Sequence, residues 1–413
     1  MYPCTDGDFR TGVIIIKTLI ELFDSCQLEN LIAGLMIVPE KIVFVGFKNV
    51  MTPEKISSLE KLFNHRGHNI EFVYEIVGRY DFDSIYTKLA DITEKNEDCA
   101  FDITGGSEIV VAAMGIVSKE KNIPIVQIDI KNGKFIRVKG FETTPEIHPA
   151  ELTFKETVEL NGGCIVEKTS DEFEWVLSDD FKSDLKKMWN ICREDCSGWN
   201  KKVNMLASME ETDLFNRSLT IKAKKHKEAF DEEFINKLSK EGLILDYYAD
   251  HDVVTFRYKN ESVHRVLIKA GNLLELYMYM LLWEIDEENK SWYDDILTGV
   301  VVDWDGIVYK SYTRPADTQN ELDLVVMRDS VPVFISCKNG EVHKEAMYEL
   351  DTVATRFGGK YARKVLISTY MTFNEKGRKH LESRAADMGI VLIHGVNKLT
   401  KEELKKLLKE KIQ

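Results

Sequence analysis

Asn320-Glu-Leu-Asp-Leu-Val-Val-Met-Arg-Asp-Ser-Val-Pro-Val-Phe-Ile-Ser-Cys-Lys-Asn339 consists of two apolar runs joined by a short polar turn. Each run has the length of a strand, so Glu321–Met327 and Pro332–Cys337 read as a hairpin. Side chains alternate across a strand, which puts Glu321 and Asp323 on one face and Ser336 and Lys338 on one face. Asp323 and Lys338 can then meet at one end of the hairpin. A carboxylate beside an amine suits phosphodiester hydrolysis: oxygen ligands hold Mg2+ or Mn2+, and the ammonium orients water or offsets phosphate charge. Glu275, inside the apolar helix predicted over Val266–Trp283, is the third piece, because a buried Glu needs a partner and a cation supplies one.

Working outward, the last 150 residues or so read αβββαβαβ. The helix Val266–Trp283 and the strands Leu297–Asp303, Glu321–Met327 and Pro332–Cys337 come first. The helix Lys344–Phe357, strand Lys364–Thr369, helix Asn374–Met388 and strand Ile390–His394 follow, with a charged terminal helix over Lys401–Ile412.

The first 140 residues or so alternate strands and helices differently. Val13–Leu22, Ile42–Val45, Ile70–Ile76, Cys99–Ile103 and Ile123–Ile130 read as strands, with helices over Gln27–Ile37, Pro53–Arg66, Phe82–Glu94 and Ser107–Lys121 between them. That order predicts a parallel sheet with helices on both faces. Asn132-Gly133 then turns the chain into Lys134–Val138. In Asp102-Ile-Thr-Gly-Gly-Ser-Glu108 a strand gives way to a helix: Gly105 and Gly106 let the backbone approach a ligand, Thr104 and Ser107 offer hydroxyls, and the helix start attracts an anion. Asp24, Ser25, Gly46, Phe47 and Lys48 follow the first two strands and open on the same edge, where ligands collect in such sheets. There is no Gly-Lys-Ser/Thr and no Gly-x-Gly-x-x-Gly, so a nucleotide-like or oligonucleotide ligand without hydrolysis fits better than an ATPase.

Composition narrows the class. Of 413 residues 44% are hydrophobic and 30% charged, a globular balance that excludes a largely disordered chain. The longest apolar stretch, Leu273–Trp283, contains Glu275 and is too short to span a membrane, and the polar start lacks the order of a secretory signal, so a cytoplasmic protein is expected. A net charge of -14 repels nucleic acid unless a basic surface or a metal offsets it. Lys222-Ala-Lys-Lys-His-Lys227 is the densest basic run, and it lies beside Phe230 and Tyr247-Tyr248. The seven cysteines are scattered and read as reduced; Cys192 and Cys196 have no second pair at zinc-finger spacing. Three segments follow: a ligand-sensing domain over 1–145, a connector over 146–260 with a winged-helix-like part, and a nuclease domain over 261–413.

The C-terminal residues resemble the PD-(D/E)XK restriction-like nuclease superfamily, whose αβββαβ core matches the predicted order. The resemblance makes Asp323 the motif aspartate, Lys338 the motif lysine and Glu275 the first-helix acid. Ser336 stands where that pattern has an acid, so Glu321 would compensate and Cys337 would offer its backbone carbonyl to the metal. The N-terminal sheet with Thr104-Gly-Gly-Ser107 resembles the CARF (CRISPR-associated Rossmann fold) sensors, and the two together resemble the CARF–nuclease ancillary effectors of type III CRISPR systems. The resemblance implies a homodimer that binds a cyclic oligoadenylate, most often the tetramer, and then cleaves single-stranded RNA and DNA, including nicking of supercoiled DNA, with Mn2+ or Mg2+. Two other readings stay open: a ligand-responsive DNA-binding regulator with a degenerate nuclease core, and a ring nuclease that degrades the cyclic messenger. Arg356 or Lys360 would contact the substrate backbone.

Overall fold

The computed structural model describes residues 16–141, 147–167, 173–211, 219–224, 230–290, 292–308, 318–370 and 374–412. Residues 13–15 of the expected first strand and 225–227 of the basic run lie outside the described residues. The chain forms two compact units. Unit 1 is Met1–Cys164 with Asp329–Val331 and Gly359–Tyr361; unit 2 is Ile165–Arg328, Pro332–Gly358 and Ala362–Gln413.

Unit 1 alternates as its apolar periods dictate: β1 (Thr18–Phe23), α1 (Glu29–Ile37), β2 (Lys41–Gly46), α2 (Pro53–His65), β3 (Glu71–Ile76), α3 (Phe82–Lys95), β4 (Cys99–Asp102), α4 (Glu108–Lys121), β5 (Ile125–Asp129) and β6 (Lys134–Lys139). The sheet order is β3-β2-β1-β4-β5-β6. All pairings are parallel except β5 with β6, the hairpin turned by Asn132-Gly133. Every residue of β1 and β4 is buried, as expected for central strands covered on both faces. Strand order reverses between β1 and β4, so their carboxyl ends splay open and leave a crevice there. Beyond the sheet come α5 (Phe154–Leu160) and β7 (Cys164–Ile165), where the chain passes into unit 2. The Arg66 guanidinium at the end of α2 holds α5 by a fork onto Glu156 at 2.8 and 2.7 Å.

Unit 2 begins with α6 (Asp179–Glu194) and α7 (Cys196–Glu211). After β8 (Thr220–Lys224), α8 (Glu232–Lys240), β9 (Ile244–Ala249) and β10 (Val253–Tyr258) form a helix followed by a hairpin, and β8 adds a third strand in the order β8-β10-β9. Then follow α9 (Glu261–Ile268), α10 (Asn272–Asn289), β11 (Asp295–Asp303), β12 (Gln319–Arg328), β13 (Val331–Lys338), α11 (Lys344–Gly358), β14 (Arg363–Ser368), α12 (Glu375–Asp387), β15 (Ile390–His394) and α13 (Lys401–Ile412). The second six-stranded sheet runs β15-β14-β13-β12-β11-β7. One hydrophobic core joins α6 and α7 to α10 and this sheet, with the Trp189 and Tyr277 rings stacked 4.7 Å apart.

The helix expected over Val266–Trp283 is two helices. Lys269 adopts extended backbone at the end of α9 (φ -128, ψ 105). The Asn272 amide donates to the Arg265 carbonyl at 3.1 Å and satisfies an acceptor that the break exposes. The interruption puts Glu275 in the first turn of α10.

Candidate functional site

In unit 2 the acidic and basic residues of the hairpin converge where the first half of β12 lies beside the end of β13. Asp323 Oδ2 accepts the Cys337 backbone N–H at 2.7 Å and the Ser336 hydroxyl at 3.1 Å, and Lys338 Nζ stands 3.9 Å from the same oxygen. Ser336, at the position where an acid was missed, therefore fixes the rotamer of the neighbouring aspartate. Glu321, Asp323, Ser336 and Lys338 line a cleft of about 50 Å³ together with Glu349 of α11. Burial, then the Asp323 charge, push Glu275 up to about 7, while Lys269 and Lys338 pull the other way. Its carboxyl and that of Asp323 therefore repel across a partly desolvated gap. Glu321 sits at the exposed rim, paired with Lys269 at 3.3 Å. Cys337 turns its thiol into the core, where burial raises its pKa well above the usual thiol range, and presents only main-chain groups to the site.

A divalent cation is the group this donor set invites. Among the described residues no three ligating side chains converge. Glu275 and Asp323 fit as two oxygen ligands, because desolvation and the Asp323 charge outweigh Lys269 and Lys338 at the half-buried Glu275, and a cation would let both acids ionise. Mg2+ and Mn2+ sites commonly take only one or two protein carboxylates and fill the remainder with water.

Unit 1 has its own cavity, about 450 Å³, at the reversal between β1 and β4. Asp24, Ser25, Phe47, Gly106 and Ser107 line it. Gly106 has φ +134, a conformation L side chains rarely adopt, and Gly105 packs so closely that a Cβ there would meet the Cβ atoms of Glu29 at 3.1 Å and Asp24 at 3.3 Å. The Ser107 hydroxyl is buried without a hydrogen-bond partner. Thr104 faces inward instead: its Oγ1 donates to Asp102 Oδ1 at 2.6 Å and accepts the Ile128 N–H at 2.7 Å, so it shapes the loop. A Cβ on Gly46 would run into the Met51 side chain, and Lys48 is exposed outside the lining. Asp24 stays below the usual carboxylate range: burial alone would raise it, but the N–H of Cys26 and the Ser25 hydroxyl outweigh that.

Residues 260–413 match the sequence model of a family described as Card1-like, endonuclease domain. The crystal structure of protein VC1899 from Vibrio cholerae superposes with a TM-score of 0.73 at 16% identity, covering 95% of this chain and 98% of that one. Can2 from Sulfobacillus thermosulfidooxidans, solved in complex with cyclic tetra-adenylate, superposes at 0.67 and 17% identity, covering 97% and 98%. The chain has the fold of a CARF–nuclease fusion. No curated protein matches the sequence significantly.

In the CARF unit, sequence reasoning missed Arg79 and Tyr80. The Arg79 guanidinium lies 5.0 Å over the Phe47 ring, and Tyr80, 86% exposed, lines the same cavity. The loop after β3 opens on the same sheet edge as those after β1 and β2, so the rule that selected Asp24 and Phe47 would have selected these two as well. Beneath the loop, Glu21 and Asp102 are register partners on β1 and β4, both fully buried. Burial pushes Asp102 up to about 6, and burial with the Asp102 charge pushes Glu21 well above its ordinary value. Lys360, expected at the substrate backbone, instead belongs to the CARF unit, where its ammonium pairs with Glu29 at 2.8 Å. In the nuclease unit Arg356 donates to the Trp304 carbonyl at 2.8 Å.

No helix among the described residues is long and apolar enough to cross a membrane.

Proposed function

We propose that this protein is a nuclease switched on by a cyclic oligoadenylate, with cyclic tetra-adenylate the first candidate, acting in type III CRISPR defence as a homodimer. The observation that carries the reading is the convergence of Glu275, Asp323 and Lys338 inside the segment that matches a Card1-like endonuclease domain. The neighbour solved with cyclic tetra-adenylate and the nucleotide-sized cavity of the CARF unit support the activator.

Glu275 and Asp323 would hold Mn2+ or Mg2+, with Glu321 at the rim and the Cys337 carbonyl as further oxygen donors. When bound, the cation supplies Lewis-acid stabilisation of the phosphate and acidifies water. The remaining roles belong to the chain. Lys338 places an ammonium next to Asp323, where it offsets charge gathering on a scissile phosphate and orients the attacking water. The Ser336 hydroxyl and the Cys337 N–H lock Asp323, so its carboxylate need not reorganise during the reaction. In the CARF unit the α4 N-terminus with Gly106 and Ser107 would receive phosphate, and Phe47 with Tyr80 would stack bases. A two-fold ligand bridging two protomers favours one arrangement of them and shifts the population toward it by its differential affinity.

The test uses purified full-length protein with Mn2+, with and without cyclic tetra-adenylate, on single-stranded RNA, single-stranded DNA and supercoiled plasmid. Cleavage that requires both additions is the expected result. Intact substrates in every lane would return the chain to the regulator reading, and loss of the cyclic ligand on chromatography would make it a ring nuclease.

A further inference from the structure

β13 ends at Lys338, and the chain turns sharply behind it. The Lys338 carbonyl accepts the N–H of Gly340 at 3.0 Å and of Thr369 at 3.2 Å, and Gly340 takes φ +147. A lysine at a strand end has four rotatable side-chain bonds and a terminus that frays, so its amine needs outside help to stay beside Asp323. That help comes from far away in sequence. Asn200, the fifth residue of α7, donates through Nδ2 to the Asn339 backbone carbonyl at 2.7 Å, and Asn339 Nδ2 donates back to Asn200 Oδ1 at 2.9 Å. The assignment of both amides is forced: a backbone carbonyl accepts only from Nδ2 of Asn200, which leaves Oδ1 to receive Asn339. The same Asn339 amide also reaches Cys192 Sγ at 3.7 Å, on α6. Both helices sit in the core that carries the nuclease sheet, so the clamp is anchored rather than floating.

We propose that Asn200 is a positioning residue of the nuclease site: it clamps Asn339 and so fixes the backbone from which Lys338 projects toward Asp323. The inference rests on the nuclease reading above, with Lys338 as the catalytic amine. Misplacing a catalytic group by about 1 Å costs on the order of a hundredfold in rate. The loss falls on the chemical step, because Asn200 does not line the cleft.

Two full-length variants test this, each assayed with Mn2+ and cyclic tetra-adenylate on a fluorescently labelled single strand. Asn200→Ala removes both bonds, and Asn200→Asp keeps the size and the acceptor but loses the donor. The expected result for both is kcat lowered about 10- to 100-fold, with KM and the half-saturating Mn2+ concentration unchanged. In a Lys338→Arg background, Asn200→Ala should cost much less than it does alone, because two residues acting through one group are not additive. Rates within about twofold of wild type in both variants, a rise in KM at constant kcat, or a loss that vanishes once rates are divided by the folded fraction from circular dichroism would each overturn the inference. A wild type that cleaves nothing overturns the nuclease reading and this inference with it; an active wild type with undiminished variants overturns the inference alone.

Discussion

Replacing Glu275 by Gln should stabilise the metal-free protein at alkaline pH while destroying its nuclease activity. The unfolded chain ionises Glu275 at its ordinary 4.5, whereas in the fold burial and the Asp323 charge hold the proton until about 7. Between those values the folded state binds more protons than the unfolded one, so this group's contribution is fully present below 4.5 and is lost as the pH rises to 7. At about 1.4 kcal/mol per pH unit, that interval of about 2.5 units amounts to at most about 3.5 kcal/mol. Gln has nearly the same shape and no charge, so the variant escapes the loss. All six tryptophans, Trp175 to Trp304, lie in unit 2, which makes tryptophan fluorescence during urea unfolding a report on that unit. In EDTA, the stability difference between Glu275→Gln and wild type should grow by up to about 3.5 kcal/mol from pH 4.5 to pH 8. Added Mn2+ should raise the wild-type midpoint at pH 8 and leave the variant where it was. A stability difference that stays flat with pH would show that Glu275 is well solvated, and the picture of two acids awaiting a cation would fail.

Other perturbations separate the two sites. Lys338→Ala should lower the cleavage rate by a thousandfold or so and leave cyclic tetra-adenylate affinity, measured by calorimetry, as it was; weakened ligand binding in that variant would contradict the separation. Gly105→Val should abolish ligand binding, since even a Cβ meets Glu29 and Asp24 at 3.1 and 3.3 Å; normal calorimetric affinity would move the ligand elsewhere. Arg79→Ala should weaken cyclic tetra-adenylate by roughly tenfold, as loss of one charge-assisted contact implies, and flatten the salt dependence of binding; an unchanged dissociation constant would remove Arg79 from the site.

Much of this could be read from the chain. Apolar and period-2 runs bounded by polar turns located the strands within a few residues, because a strand buried on both faces is apolar along its length and one buried on a single face alternates. β15 and α13 appear at both of their expected limits. The meeting of Asp323 with Lys338 was also legible, since the hairpin sets Asp323 opposite Ser336 and strand alternation puts Lys338 on that same face two residues on. Less legible was the break between α9 and α10, which depends on an Asn272 amide reaching back to Arg265. Helices α5 and α7 and strand β8 were missed, because their faces make sense only against partners elsewhere.

The sequence by itself determined which segments form strands and helices, which loops gather on the sheet edge of unit 1, and which acids and amine share the end of one hairpin. These follow from local sterics and apolar period, which act between near neighbours. Tertiary structure alone decided that Ser336 orients Asp323, that Thr104 turns inward to the Ile128 N–H, and that Asn200 holds the turn behind Lys338. Each of those depends on where a hydrogen-bonding group 13 to 139 positions away finally lies, and burial fixes that position only after the whole core has closed.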